Sequence, residues 1–187
     1  WTLNIFRPEL YKKLKLEMGN VDIKIFPEPE TIDRLKDPDI QTNALLHSCV
    51  FLPVWSRCYF TSPRCLAELL SFGERQEMLD SRLIVPVSIS HKKHFIPLIP
   101  LVEKNAKCFG NYFLTNATFK NRKSERYNEF ELLVKGLAER IEGVISKLAP
   151  KCNISWPITS PFEMKEIADE YEKRAQIGAY KTSWPNF

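Results

Sequence analysis

The sequence predicts an α/β chain organised around a mainly parallel sheet. Short apolar runs rich in β-branched residues stand at 21–26, 49–55 and 83–89. Segments of helical periodicity separate them. The second and third runs are nearly continuous, the pattern of parallel strands covered on both faces.

Taken in order, the first element is a helix over Arg7–Met18, with Pro8 in its first turn and Leu10, Leu14 and Met18 at helical spacing. Gly19 is a stop signal. Residues 21–26 alternate apolar and polar, as a half-exposed strand does. Asp37 with Pro38 opens a second helix through Leu46 that buries Ile40, Ala44 and Leu45. The run 49–55 is a buried strand. Ser62 with Pro63 opens a third helix to about Glu77, with Leu66, Leu69, Leu70 and Phe72 inward. The run 83–89 is the next buried strand. Residues 91–125 carry no assignable element, and a loop of that length is expected to hide a short strand or helix. An amphipathic helix follows over 126–148, with Leu133, Leu137, Ile141, Val144 and Leu148 on one face and Pro150 ending it.

These elements make one domain over 1–150. Residues 151–187 read as a C-terminal helical extension or linker. Its helix opens at Ser160-Pro161-Phe162-Glu163, a capping-box pattern, between the pairs Trp156-Pro157 and Trp184-Pro185. A doubly wound sheet calls for a strand before the first helix, so the first strand is expected to be missing from the sequence.

Composition narrows the function classes. The chain has 187 residues, enough for a real core, with 44% hydrophobic residues and net charge +4. Only 6 glycines occur against 13 prolines. No G-x-G-x-x-G and no G-x-x-x-x-G-K-[ST] is present, which excludes ordinary Rossmann and P-loop phosphate sites. The longest apolar stretch, 95–102, holds two prolines and is far too short to span a membrane. Five scattered cysteines with no C-x-x-C form neither a disulfide framework nor a zinc site. That usage, and the lack of a signal peptide, lead us to expect a cytoplasmic protein. The basic run Lys120, Arg122, Lys123, Arg126 is broken by Glu125, so it reads as a solvated loop and not as a nucleic-acid surface. His47, His91 and His94 have no metal spacing, and no Ser-His-Asp triad can be argued.

The densest motif is 56–69, Ser-Arg-Cys-Tyr-Phe-Thr-Ser-Pro-Arg-Cys-Leu-Ala-Glu-Leu. Ser56, Tyr59, Ser62, Cys65 and Glu68 fall three apart, directly after a buried strand. The segment resembles the TIR domain pattern, in which a strand ends in Ser, a Tyr follows, and a helix opens with Ser-x-x-Cys-x-x-Glu-Leu. Bacterial TIR-like proteins are the nearer likeness. Phe26, the acidic loop with Thr31-Ile32, Ala44-Leu45 and Ser48 are similar to the segment around the family's BB loop. Coverage is roughly residues 3–148. Where such helices often carry Trp before the Cys, this sequence has Arg64, and its 27–37 loop has no glycine.

The resemblance implies a flavodoxin-like three-layer TIR fold. It also implies cleavage of NAD, as substrate and with no separate cofactor, at the nicotinamide–ribose bond. Glu68 is the family's catalytic glutamate by motif position. A carboxylate suits this chemistry, because nicotinamide leaves as a neutral molecule and an oxocarbenium-like centre remains to be stabilised. The bland reading of Glu68 is an i, i+4 pair with Arg64. Ser56 either hydrogen-bonds substrate or satisfies local backbone. Trp55 and Tyr59 either stack on nicotinamide or adenine or pack internally. Phe26 and the 27–37 loop either wall the pocket or form a self-association surface. Arg64 completes the candidate substrate-binding set.

Relatives typically act in defence or signalling on self-assembly, so self-association and a sensor domain or protein partner are the implied partners. The alternative reading is a non-catalytic TIR-like interaction module. A nucleoside deoxyribosyltransferase-like enzyme, with a carboxylate nucleophile, is a third.

Overall fold

The computed structural model describes residues 2–27, 37–89, 107–113, 124–148 and 156–176. A π-helical turn, Thr2–Phe6, runs straight into α1, Arg7–Met18, with Phe6 itself helical at φ −66° and ψ −49°. Gly19 ends α1 at φ +61° and ψ −120°, a conformation that favours glycine, and its N–H donates to the Lys15 carbonyl. Helix α2, Pro38–His47, begins at Asp37, whose Oδ1 accepts the Asp39 N–H at 3.0 Å.

Three short parallel strands follow: β1, Val54–Trp55; β2, Val87–Ser88; and β3, Lys107–Cys108. Their spatial order is β1-β2-β3, with Val54 opposite Val87 and Val87 opposite Lys107. The β1–β2 pairing continues backwards through a Phe51–Ile84 bridge. The ladder is short because Pro53 and Pro86 each remove a donor. Their carbonyls still accept, from the Val87 and Lys107 N–H groups at 3.0 and 3.2 Å.

Side chains alternate across the sheet. Val50, Leu52, Val54, Val85 and Val87 join one cluster with α1 and α6, Glu125–Leu148. Phe51, Trp55 and Ile84 join another with α4, Pro63–Leu79. Helices therefore cover both faces of an open parallel sheet, and β1–α4–β2 is a βαβ unit. Lys13 Nζ ties α1 to α6 at Glu131 Oε1, 2.6 Å away. Among the described residues, no helix is long and apolar enough to cross a membrane.

One expectation changes and one is met. The run 21–26 pairs with no strand among the described residues. Two of its carbonyls are taken by side chains: Arg7 Nη2 donates to the Ile25 carbonyl at 3.1 Å and Lys15 Nζ to the Val21 carbonyl at 2.8 Å. Ile23 and Ile25 still pack on the α1–α6 cluster, so the alternation is kept without the ladder. The segment 91–125 yields both kinds of hidden element, β3 and the single turn α5, Gly110–Phe113.

The extension is no free strand of chain where it is described. Glu163 Oε2 accepts the Ser160 N–H, as the capping box predicts, and the last helix, α7, runs Lys165–Gln176. Met164 and Ala168 are buried in the cluster that holds Trp55 and Phe60. The Thr159 N–H donates to Ser71 Oγ on α4 at 2.8 Å.

Candidate functional site

After β1 the chain turns at the carboxyl edge of the sheet, the edge where open parallel sheets bind ligands. Ser56 caps the one-turn helix α3, Arg57–Phe60, its Oγ accepting the Tyr59 N–H at 3.3 Å. Ser62 caps α4 in the same way, accepting the Cys65 N–H at 3.4 Å. Half of the three-residue spacing thus has a local cause. Each serine reaches the backbone three residues on, as N-caps do.

The other half brings side chains together. Tyr59 is 8% exposed, and its hydroxyl donates to the Cys65 carbonyl at 3.0 Å. Glu68 stands in the second turn of α4 with its side chain 25% exposed, its Oε1 3.8 Å from Arg64 Nε. Burial pushes the Glu68 carboxyl above its ordinary range, while Arg64 pulls it back. Burial also raises the Tyr59 phenol well above its usual value, with Cys65 and Glu68 adding to the rise. The Cys65 thiol is raised by burial first, against a lowering hydrogen bond from Ser62. Burial thus keeps the phenol and the thiol protonated at neutral pH, beside a Glu68 carboxyl raised above its ordinary range and one guanidinium. Cys65 is no activated nucleophile here.

The remaining candidates fall elsewhere. Trp55 is 1% exposed and packs on Phe60, ring centroids 5.7 Å apart, so the structure realises the packing reading of this residue. Phe26 is 37% exposed. Among the described residues, no ring contact or hydrogen bond links it to Glu68. The loop expected at 27–37 lies outside the described residues from 28 to 36, as do His91, His94 and the cluster Lys120, Arg122, Lys123. No group of three His, Cys, Asp or Glu side chains suited to a metal occurs among the described residues.

Two features escaped the sequence reading. Arg75 on α4 is fully buried, donating to the Leu45 carbonyl at 2.6 Å and the Pro157 carbonyl at 3.5 Å. Its guanidinium lies over the Phe72 and Trp156 rings, 4.5 and 5.2 Å from their centroids. The signal was present: Arg75 sits three after Phe72 and four before Leu79, on the apolar stripe. The second feature is an open polar cavity of about 480 Å³ beyond β3, lined by Asn111, Tyr112, Ser124, Glu125, Arg126 and Glu129. It does not include Glu68.

Neither protein-family models, nor curated proteins, nor solved structures give a match to this chain.

Proposed function

We propose that this chain is a TIR-like domain of flavodoxin-like design that cleaves NAD at the nicotinamide–ribose bond, with Glu68 as the catalytic carboxylate. One observation carries the reading. Glu68 is a partly desolvated carboxylate on the helix that follows a parallel strand at its carboxyl end, beside a guanidinium and a neutral phenol.

In the reaction the C1′–N bond breaks and its electron pair passes to the pyridinium nitrogen, releasing neutral nicotinamide. Glu68 faces the positive charge that develops at C1′, where a low local dielectric strengthens the attraction. Water adds its oxygen to C1′ and loses a proton to solvent, giving ADP-ribose; attack by a ring nitrogen of the adenine gives a cyclic product instead. Self-assembly and a role in defence or signalling belong to the same proposal, with assembly bringing a second chain to the pocket.

The test is nicotinamide release from NAD across a protein concentration series, comparing the wild-type chain with Glu68→Ala and Glu68→Gln. Release that rises faster than concentration and vanishes in both variants supports the reading. Turnover surviving in either variant removes Glu68 from the role.

A second reading, a non-catalytic interaction module, draws on the burial of Trp55 and Tyr59. Both aromatic rings are spent on packing, which leaves fewer groups to grip a nucleotide. Partner capture with no nicotinamide release at any concentration favours it.

A further inference from the structure

The Arg64–Glu68 pair is poorly suited to stabilising its own helix. The basic residue precedes the acidic one, the weaker order for an i, i+4 pair. Arg64 also stands in the first turn of α4, where the helix dipole disfavours a cation. Arg64 approaches Glu68 with Nε 3.8 Å from Oε1, and the Arg64 side chain is 41% exposed. The terminal nitrogens make no hydrogen bond among the described residues. A planar fork whose Nη1/Nη2 edge is unused among the described residues thus stands next to a carboxylate that burial has partly stripped of water. Guanidinium forks of this kind match phosphate oxygens bidentately.

We propose that Arg64 is a substrate-selecting residue that exchanges Glu68 for a phosphate of the substrate, restricting the site to nicotinamide ribosides that carry a 5′-phosphate group. The inference rests on the cleavage reading above and deepens it. Without a phosphate, Arg64 stays on Glu68 and neutralises the charge that C1′ needs. With one, the guanidinium moves to the phosphate and frees the carboxylate. No covalent step is added. Arg64 touches the phosphate and holds the far end of the substrate.

Nicotinamide release is measured from NAD, from nicotinamide mononucleotide and from nicotinamide riboside, which share the scissile bond and differ in phosphate. The wild-type chain is expected to favour both phosphate-bearing substrates over the riboside by at least about tenfold in kcat/KM. In Arg64→Gln that ratio collapses toward one, the loss on NAD falling mainly on KM. Arg64→Lys, a point charge without the fork, retains part of the preference. A ratio in Arg64→Gln equal to that of the wild-type chain overturns the inference and leaves the cleavage reading standing. So does a wild-type chain that cleaves riboside as well as NAD. No release from any of the three substrates overturns both.

Discussion

The Tyr59 hydroxyl donates to the Cys65 carbonyl across 3.0 Å, joining the single turn α3 to the first turn of α4. The bond fixes how the two helices meet and so where Glu68, one turn further on, is held. Its donor is a phenol that stays protonated far above neutral pH, chiefly because it is buried. Removing the hydroxyl in Tyr59→Phe keeps the ring in place and deletes one hydrogen bond. We expect a loss of about 1 kcal/mol in urea unfolding. Tyr59→Ala, which also opens a cavity beside Phe60, costs about 3–4 kcal/mol.

The raised Glu68 carboxyl makes a signed prediction. Its folded-state pKa lies above the unfolded value because burial outweighs the pull of Arg64. The folded chain therefore binds the proton more tightly, and stability is full below the ordinary glutamate pKa, about 4.3, and is lost as pH rises through the raised value. Glu68→Gln is expected to melt higher than the wild-type chain at neutral pH, with the gap closing below about pH 4. The groups facing Glu68, Tyr59 and Cys65, remain neutral there and add no competing charge. Under the cleavage reading the acid limb of kcat/KM moves with the same group. It lies above the ordinary carboxylate range and rises further in Arg64→Gln.

Arg75 binds three parts of the chain at once: the end of α2, the middle of α4 and the extension. Burial lowers its pKa to about 10, so it remains charged at neutral pH. Arg75→Ala strands the Leu45 and Pro157 carbonyls and empties the space between Phe72 and Trp156, a loss of about 3 kcal/mol. Arg75→Met keeps the bulk and is expected to cost less. Limited trypsin digestion checks the coupling, since exposed Lys165 and Lys173 on α7 are cut faster once the extension is loosened.

Two backbone positions with positive φ give opposite outcomes. Gly19→Ala meets no atom within 4 Å, so its cost is conformational alone, about 1 kcal/mol or more at φ +61°. Asp80, which closes α4 at φ 46° and ψ 45°, is the reverse case. Asp80→Gly relieves the left-handed strain and stabilises by up to about 1 kcal/mol. Thermal melting distinguishes the two directions.

Much of the fold was legible because its signals are local. Pro8 and Gly19 bracket α1, Asp37 and Ser62 open their helices, and the capping box at Ser160 and Glu163 closes as written. The failure at 21–26 has an equally physical origin. Alternation records which side chains face the core, and it is silent on what satisfies the backbone; here Arg7 and Lys15 do so from α1. At the candidate site the motif located Glu68 and Arg64 correctly as neighbours. It could not separate serines that cap from serines that bind, nor an aromatic that packs from one that is presented, because those differences depend on burial. Trp55 and Tyr59 are decided by α7 and α4 packing around them. For Arg75 the one local sign of burial is its place on the Phe72–Leu79 stripe, since a charged side chain ordinarily marks an exposed position.

Pro53 and Pro86 have a further effect, on what an experiment can see of the sheet. Neither residue carries an amide proton. Along the β1–β2 pairing the reporting amides include those of Phe51, Val85, Val87 and Ile89. Deuterium labelling of the native chain would thus read this pairing without any signal from positions 53 and 86. Slow exchange at Val85 and Val87, flanking Pro86 in the layer between two sets of helices, would report opening of the whole structure. Fast exchange there would mean that the helical layers part before they unfold.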